Sequence, residues 1–487
     1  MTEVPTVFVA PLPVFLATDF VMAALLAGCA AAAVVLGRRP DVAARWKLVL
    51  ARPSASASLV VLGFFFAIAL LDSVHYRKPL PPAEGAVQTA YSPVTTSLFD
   101  DLVFNVLGAA GPERSYSAPF AVREFDKSTA ATSAGPVRDF QPLRSIRRNA
   151  SGEAASAGEL VSLGLVGWTA GTGAGVLLLG IAGLVSRTKS ATNGKKGKPG
   201  ETRRRHLARL APRATFVVLC ALTGLVIALW PERHVLGTDA AGTDVLYEAL
   251  KSLRTAIVIG TLATLSALPF AVTAGLAAGY FRGWADDVIQ YIYTTLSSIP
   301  GVLLIAAAVL MTTAFMDRFP ERWPTGLERA DMRLFLLALI IGLTSWATLA
   351  RLIRAEAMRI ASLDYVLAAR ALGVPAPAIL VKHVLPNVLH IVLIVTVLDF
   401  SGVVLYEAVL SYVGVGVDPV MNSFGTMVNA ARSEMSRSPV VWWNLAAAFL
   451  FLVAFVLCAN LVAAAVPHCF SDTFYFPFHN PLPFDCL

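Results

Sequence analysis

The chain has 487 residues, of which 56% are hydrophobic and 15% are charged, and its formal net charge is +7. Soluble domains carry about 25% charged residues, so this composition excludes an ordinary soluble protein. The basic excess lies mostly in short loops beside apolar stretches, where it orients helices and does not form a nucleic-acid-binding face. The five cysteines form no CxxC pair and show no metal-ligand spacing, so we expect neither a disulfide framework nor a metal site.

Nine apolar stretches predict transmembrane helices. A helix needs about 20 residues to cross a bilayer, and the period-two alternation of a membrane barrel is absent. The first stretch follows an N-terminus that lacks the basic region of a signal peptide, so we expect a retained helix, with a cleaved or re-entrant segment as the alternative. The predicted spans are residues 14–37, 58–74, 160–186, 214–230, 253–279, 290–314, 334–352, 387–413 and 441–466.

The charges between these spans predict the orientation of the chain. Basic loops at residues 38–52 and 187–213 are expected in the cytoplasm, which places residues 75–158 outside. Parity over nine spans then puts the N-terminus outside and the C-terminus inside. One segment disagrees, because the loop 317–333 carries four arginines and yet falls outside by parity.

The two longest hydrophilic segments predict little chemistry. Residues 75–158 begin with prolines and become rich in Ser, Ala, Gly and Arg, which favours a small extracytoplasmic cap followed by a flexible tether. The loop 187–213 is expected to be a solvated linker, with contact to anionic lipid as the alternative. Its stretch GKKGKPGET lacks the fixed spacing of a phosphate-binding loop, so no nucleotide site is predicted.

The segment 351–387 is markedly more polar than the span before it and is expected at the cytoplasmic surface. Its composition predicts a helix through Leu372, a left-handed cap at Gly373 and a stop at Pro375. A short second helix over residues 376–384 should then lead into the next span. Composition alone leaves two readings equal: a bend that docks another protein, or an ordinary connector between spans.

This segment resembles the EAA loop of ABC-importer permeases, in the form found in the oligopeptide/dipeptide branch. The branch pattern D/E-Y-V-x-A-A-R-A-L-G followed by H-I-L-P-N matches here, with Leu367 in place of the usual Glu. In the family this loop is a coupling helix that docks on the ATP-hydrolysing subunit. The residues that the resemblance assigns to the coupling loop are Asp364, Tyr365, Ala368, Ala369, Gly373, Pro375, His383, Leu385, Pro386 and Asn387.

Two further segments are similar to the same branch. The run LGTDAAGTDV resembles the extracytoplasmic entrance of the second core helix in C-type subunits, with Thr243 in place of the usual Arg, and EAVLSYVGVGV resembles the fifth core helix. The similarity extends from residue 233 to about 462, whereas the aromatic, proline-rich C-terminus departs from the family's charged tail. The residues of the entrance motif are Gly237, Thr238, Asp239, Gly242 and Asp244.

Several ionisable residues admit two roles. Asp239 and Asp244 are favoured as residues that order a helix start, with contact to a binding protein as the alternative. Asp399 and Glu407 lie inside a predicted span, where a charge costs at least about 2.5 kcal/mol. They are therefore candidates either for lining a translocation path or for structural pairing. His383 is favoured as an interfacial side chain over a pH switch.

The resemblance implies an all-α polytopic fold, with a six-helix permease core and about three additional N-terminal spans. Residues 1–74 would hold two helices and a basic loop, and 75–158 the extracytoplasmic insert. Residues 159–213 would add one helix and the basic linker, 214–466 the permease domain with its coupling loop at 354–386, and 467–487 a cytoplasmic tail.

The function implied is that of a C-type permease subunit of a bacterial inner-membrane importer for peptides or peptide-like solutes, without enzymatic activity of its own. The implied partners are a B-type permease, two ATP-binding subunits that hold ATP and Mg²⁺, an extracytoplasmic binding protein and membrane lipid. The chain itself would bind no cofactor and no nucleic acid. The alternatives are an ATP-independent secondary transporter or channel, and a receptor or scaffold. Dipeptides, oligopeptides, nickel chelates and peptide-like antibiotics all remain open as cargo.

Overall fold

The computed structural model describes residues 11–38, 40–80, 91–132, 135–148, 153–189 and 199–466. The predicted cytoplasmic tail, with Cys469 and Cys486, and part of the basic linker lie outside the described residues. Helices dominate the described ranges, and the short strands lie within residues 12–14 and 75–139. The helices are α1 Ala17–Arg38, α2 Pro40–Leu50, α3 Pro53–Asp72, α4 Leu98–Asp101, α5 Ala157–Lys189, α6 Pro199–Leu229, α7 Val245–Phe281, α8 Trp284–Ser298, α9 Gly301–Arg318, α10 Gly326–Ala361, α11 Asp364–Ala371, α12 Ala376–Ile379, α13 Leu385–Val413, α14 Phe424–Glu434 and α15 Trp443–Ala465.

Eight helices of the described ranges are long and apolar enough to cross a membrane: α3, α5, α6, α7, α9, α10, α13 and α15. They coincide with eight of the nine predicted spans, which confirms a polytopic helical membrane protein. The ninth prediction, residues 14–37, corresponds to α1, whose apolar part is the shorter stretch Ala17–Ala32.

The predicted span 290–314 is wrong as a single helix. α8 ends at Ser298 and α9 begins at Gly301, with Ile299 extended and Pro300 preceding the new helix. Proline has no amide hydrogen to donate and disfavours helical geometry in the residue before it, which accounts for the interruption. Of these two helices, only α9 is long and apolar enough to cross a membrane.

The helices α7 and α10 form the centre of the bundle and pack closely along their lengths. Gly342 of α10 lies against α7 so closely that a Cβ atom there would be 2.3 Å from the carbonyl oxygen of Ala263. The largest core cluster gathers on these two helices and on α3, α13 and α15. The additional helix α3 is therefore part of the bundle, since it packs against α6, α7 and α15.

Buried polar contacts attach α1 to the core helices. Arg254 of α7 places one terminal guanidinium nitrogen 2.7 Å from Asp19 Oδ1 and 2.6 Å from Thr18 Oγ1, both in α1. The same nitrogen lies 3.9 Å from Asp331 of α10, which accepts hydrogen bonds from the amide and hydroxyl of Thr18. Three helices thus share one buried charge cluster. Removing one member would leave its partner charge unpaired in a low-dielectric environment.

The insert, together with the residues just before α1, contains two small antiparallel sheets. Strands β1 Leu12–Val14, β2 His75–Pro79 and β3 Tyr91–Ser97 form one sheet, and β4 Ser128–Thr132 pairs with β5 Gly135–Asp139 in a hairpin. The flexible tether expected in the later part of residues 75–158 is wrong for the described residues. The hairpin is followed by Leu143 and Ile146, which are buried at 0% and 4% exposure and fix this part to the fold.

The position of the arginine-rich loop 317–333 agrees with span parity. Glu328, at the start of α10, forms an ion pair with Arg77 of β2 at 3.6 Å, so the loop lies on the same side of the bundle as the insert, as parity predicts. Arg333 is neutralised by Asp418 at 2.7 Å and faces Asp317 at 3.7 Å. The four arginines of this loop are therefore an exception to the positive-inside rule, which counts basic residues and gives acidic ones little weight.

Candidate functional site

The polar segment after α10 forms a helix, a bend and a second helix. α10 ends at Ala361 and α11 starts at Asp364, so the predicted uninterrupted helix through Leu372 is wrong. The break arises at Leu363, which is extended with ψ 146°, and at Ser362, whose hydroxyl donates back to the carbonyl of Arg359 at 2.8 Å. α11 is thereby separated from the long membrane helix as an independent short element.

Gly373 ends α11 with a left-handed residue, as its position in the sequence predicts. Its φ is +76°, and its amide donates to Arg370 O at 3.0 Å while the amide of Val374 donates to Ala369 O at 3.1 Å. This pair of bonds is a Schellman motif, which satisfies carbonyls that a helix end otherwise leaves free. The motif fixes the direction in which the chain leaves α11.

The second helix of the bend starts after Pro375 and continues into the membrane. α12 passes into a π-helical turn, Leu380–Val384, which joins α13 at Leu385 without interruption. The predicted short helix over 376–384 is therefore the first part of a longer one. Val366, Ile379 and Val384 are each 0% exposed and anchor the bend in a core cluster that includes Tyr280.

Three of the residues assigned to the coupling loop meet in space. Asn387 Nδ2 lies 3.0 Å from the hydroxyl of Tyr365 and donates to the carbonyl of His383 at 2.6 Å. The rings of Tyr365 and His383 have centroids 6.2 Å apart. These contacts hold the start of α11 against the start of α13, so the bend is braced from both ends. Asp364, Ala368 and Pro386 are accessible to solvent and contribute to its outer surface.

The tip of the bend presents apolar side chains. Leu372 is 83% exposed, Val381 62% and Leu367 45%. Exposed apolar side chains concentrated in one short segment, here residues 367–381, are typical of a surface that contacts another protein. The sequence pattern alone does not indicate Leu372 as the most exposed of them.

On the opposite face, the entrance motif lies mostly beneath the extracytoplasmic insert. Thr238 is fully buried; its hydroxyl donates to the carbonyl of Ser115 at 2.9 Å, and Trp443 Nε1 donates to its carbonyl at the same distance. Gly237 and Gly242 both have positive φ, and a Cβ on Gly242 would be 2.1 Å from the carbonyl oxygen of Glu113. The insert backbone approaches the motif at a distance that only glycine permits there.

The two aspartates of the motif order the start of α7. Asp244 is the N-cap residue, and its Oδ1 accepts from the amides of Leu246 and Tyr247 at 2.9 and 3.1 Å. Asp239 accepts from the amide of Thr243 at 2.7 Å and so closes the loop before the helix. Asp244 is 3% exposed, which leaves its carboxylate engaged within the chain.

His234 is a buried residue that the sequence does not single out. Its Nδ1 lies 2.8 Å from Asp244 Oδ2 and its Nε2 lies 3.7 Å from Glu113 Oε1. Burial lowers the pKa of this imidazole, but the hydrogen bond to Asp244 and the charge of Glu113 outweigh burial and raise it to about 9. No local signal in the sequence could have indicated the contact between His234 and Glu113, because Glu113 belongs to the distant insert.

A cavity of about 490 Å³ lies between the middles of α7, α10 and α13, beside the break between α8 and α9. Asp399 lines it from the centre of α13, together with apolar side chains and several hydroxyl groups. Non-helical backbone at membrane depth is tolerated only where it is buried in protein or faces a water-filled cavity. The non-helical backbone at the break is in such a position, because Ile299 and Gly301 both line the cavity.

Glu407 does not line this cavity. Its Oε1 accepts hydrogen bonds from Ser411 at 2.7 Å and from Ser423 at 3.1 Å, and the residue is 2% exposed. Ser423 is also the N-cap of α14. The carboxyl group thus connects α13 to α14, and the structure separates the two acidic residues that the sequence places together in one span.

An ion pair joins the end of α10 to the start of α8. Arg354 of α10 binds Asp286 of α8 through two parallel bonds, Nε to Oδ1 at 2.5 Å and Nη2 to Oδ2 at 2.6 Å. This bidentate geometry restrains the angle between the helices.

Within the described ranges, no group of three or more His, Cys, Asp or Glu side chains is placed to hold a metal ion.

Comparison with known proteins identifies relatives of this chain. Residues 271–468 match the family described as binding-protein-dependent transport system inner membrane component. The oligopeptide transport system permease protein OppC of Mycobacterium tuberculosis is 30% identical over 233 residues, 47% of this chain and 72% of that protein. The glutathione transport system permease protein GsiD of Pectobacterium atrosepticum is 30% identical over 225 residues, 46% and 69% of the two chains. The dipeptide transport system permease protein DppC of Lactococcus lactis is 29% identical over 208 residues, 43% and 55%.

The helical bundle, its exposed cytoplasmic bend and these relatives define a class: a multi-pass permease subunit of the bacterial inner membrane, which forms part of an ATP-driven importer. More particularly, the chain belongs to the family of inner membrane components of binding-protein-dependent transport systems. The resemblance seen in the coupling-loop and entrance motifs is thus confirmed at the level of the family.

Proposed function

We propose that this chain is the C-type permease subunit of an importer for peptides or peptide-like solutes. Relatives named for oligopeptide, glutathione and dipeptide transport support this cargo class. The subunit would pair with a B-type permease and receive cargo from an extracytoplasmic binding protein. It would hydrolyse nothing itself, and ATP with Mg²⁺ would bind to two partner subunits.

The observation that carries the coupling role is the braced bend between α11 and α13. Its position is fixed by the Schellman motif at Gly373 and by the contacts of Asn387, while Leu372 protrudes from it. A rigid element with an exposed apolar tip can transmit a movement of a docked partner to the helix that it continues. Residues 354–386 are therefore the proposed contact with the ATP-binding subunits.

The test is co-purification from native membranes through a tagged chain, followed by ATPase and peptide-uptake assays. The wild type should retain a second permease and ATP-binding subunits, and Leu372→Asp should lose the ATP-binding subunits because a charge replaces the protruding apolar group. Val106→Asp is the matched control: Val106 is 72% exposed but lies in the extracytoplasmic insert. A chain that purifies alone and transports solute without ATP would overturn the proposal in favour of a secondary transporter.

A further inference from the structure

The cavity that contains Asp399 lies at the middle of the membrane-spanning bundle. Asp399 is fourteen residues from each end of α13, Leu385 and Val413, which corresponds to about 21 Å of helix on either side. The cavity volume, about 490 Å³, is within the roughly 300–1,000 Å³ of pockets that hold small molecules. The site is therefore large enough for a small solute and remote from both surfaces.

Asp399 is the one charged side chain among the described residues that line the cavity. Within the described part of the chain, its carboxylate has no hydrogen-bond or ion-pair partner. Glu407, two turns along the same helix, contrasts with it because Ser411 and Ser423 both bond to it. A carboxylate at mid-membrane is unfavourable unless water or a cation accompanies it.

The neighbouring hydroxyl groups strengthen this preference for a cation. Thr264, Thr344 and Thr396 each donate their proton to a carbonyl of their own helix, at 2.7, 3.0 and 2.6 Å. Their oxygen lone pairs are left to accept hydrogen bonds. The cavity thus offers several acceptors and one negative charge, and no Lys, Arg or His side chain is among its described lining residues.

We infer that Asp399 and these hydroxyl groups form a subsite for the ammonium group of the cargo, such as the free amino terminus of a peptide. A primary ammonium carries three donors and one positive charge, which match a carboxylate and several hydroxyl acceptors that line one cavity. The remaining apolar lining accommodates side chains of differing shape. This inference rests on the proposed function for the identity of the cargo, and it adds a selective site within the permease itself.

The charge preference can be measured without cargo. In the purified complex, Thr348→Cys places a thiol in the same cavity. Its rates of reaction with a cationic trimethylammonium thiosulfonate and an anionic sulfonate thiosulfonate are compared, with the reaction of the native cysteines subtracted. The cationic reagent should react faster, and adding Asp399→Asn should reduce the ratio about tenfold or more, because a nearby unit charge is removed in a low-dielectric site. Glu407→Gln should leave the ratio unchanged.

Uptake by the complete importer in proteoliposomes supplies the second readout. Asp399→Asn should reduce uptake of di- and tripeptides with a free amino terminus about tenfold or more, the effect of losing a hydrogen bond to a charged group. Asp399→Glu, which keeps the charge, should restore part of the uptake. A Thr348→Cys variant whose new thiol reacts with neither reagent, or a ratio insensitive to Asp399→Asn, would overturn the inference. A wild type that shows the charge preference but imports no peptide would instead overturn the proposed function.

Discussion

His234 Nδ1 lies 2.8 Å from Asp244 Oδ2, and this contact fixes the loop between α6 and α7 to the first turn of α7. Asp244 caps α7 with its other oxygen, and Glu113 of the insert faces the second nitrogen of the imidazole at 3.7 Å. Glu113 in turn accepts from the amides of Arg144 and Ser145 at 2.8 and 2.9 Å. One imidazolium thus holds two carboxylates that belong to separate parts of the chain.

This contact predicts a pH dependence of stability at the alkaline side. The folded-state pKa of His234 is raised from 6.5 to about 9, so its stabilising contribution is complete below about pH 6.5 and is lost as the pH rises through about 9. His234→Ala should lower the free energy of unfolding by about 3–5 kcal/mol at neutral pH, because two buried charges lose their partner. Thermal unfolding of the purified protein between neutral and alkaline pH measures both effects.

The matched control is His383→Ala, which removes an imidazole from the cytoplasmic bend and should leave the alkaline loss of stability intact. A His234→Ala protein that unfolds with the same pH dependence as the wild type would show that His234 is not the group responsible.

The sequence predicts the helices well and their meeting points poorly. Apolar runs identify the membrane spans because burial in lipid requires length and composition alone. The break at Pro300 is missed because the apolar run continues through it, although the proline itself disfavours helical geometry at Ile299. His234 and Glu113 are missed because their contact depends on how the insert folds back over the bundle.

The candidate site likewise has some features that the sequence predicts and others that it does not. Gly373 is predictable because a left-handed helix end favours glycine, and the following Pro375 marks the end of the helix. The separation of Asp399 from Glu407 is not predictable from the spacing. It depends on Ser423, which reaches Glu407 from another helix and leaves Asp399 without a partner of this kind.

The left-handed conformation of Gly373 predicts a graded response to substitution. Gly373→Val should reduce cargo-stimulated ATPase activity of the complete importer several-fold, because a β-branched residue at φ +76° costs about 1–2 kcal/mol and would shift the bend. Gly373→Asn should retain most of the activity, since asparagine tolerates this conformation. A Cβ at this position meets open space, so neither variant introduces a clash within the chain. Equal activities of the two variants would contradict a role for the backbone conformation.

The ion pair between Arg354 and Asp286 predicts a specific requirement for arginine. Arg354→Lys keeps the charge but loses the two parallel hydrogen bonds, so it should destabilise the protein by about 1 kcal/mol. Asp286→Asn should cost a similar amount, and the double variant should be less destabilised than the sum. Thermal unfolding of the four proteins gives the coupling energy. Strict additivity would show that the two side chains do not stabilise the packing of α8 on α10.

Substitution by alanine is expected to have opposite effects at two glycines: Gly342, where α10 approaches α7 closely, and Gly173 in α5. Gly342→Ala would place its Cβ 1.8 Å from Ser266 Oγ and 2.3 Å from the carbonyl oxygen of Ala263, so the helices must separate. We expect a loss of about 1–3 kcal/mol of stability, the usual cost of overpacking a core. Gly173→Ala, in α5, meets nothing within 4 Å and should stabilise its helix by about 0.5–1 kcal/mol. The unfolding temperatures of the two variants, compared with the wild type, test both expectations. A Gly342→Ala protein as stable as the wild type would mean that α7 and α10 do not pack this closely.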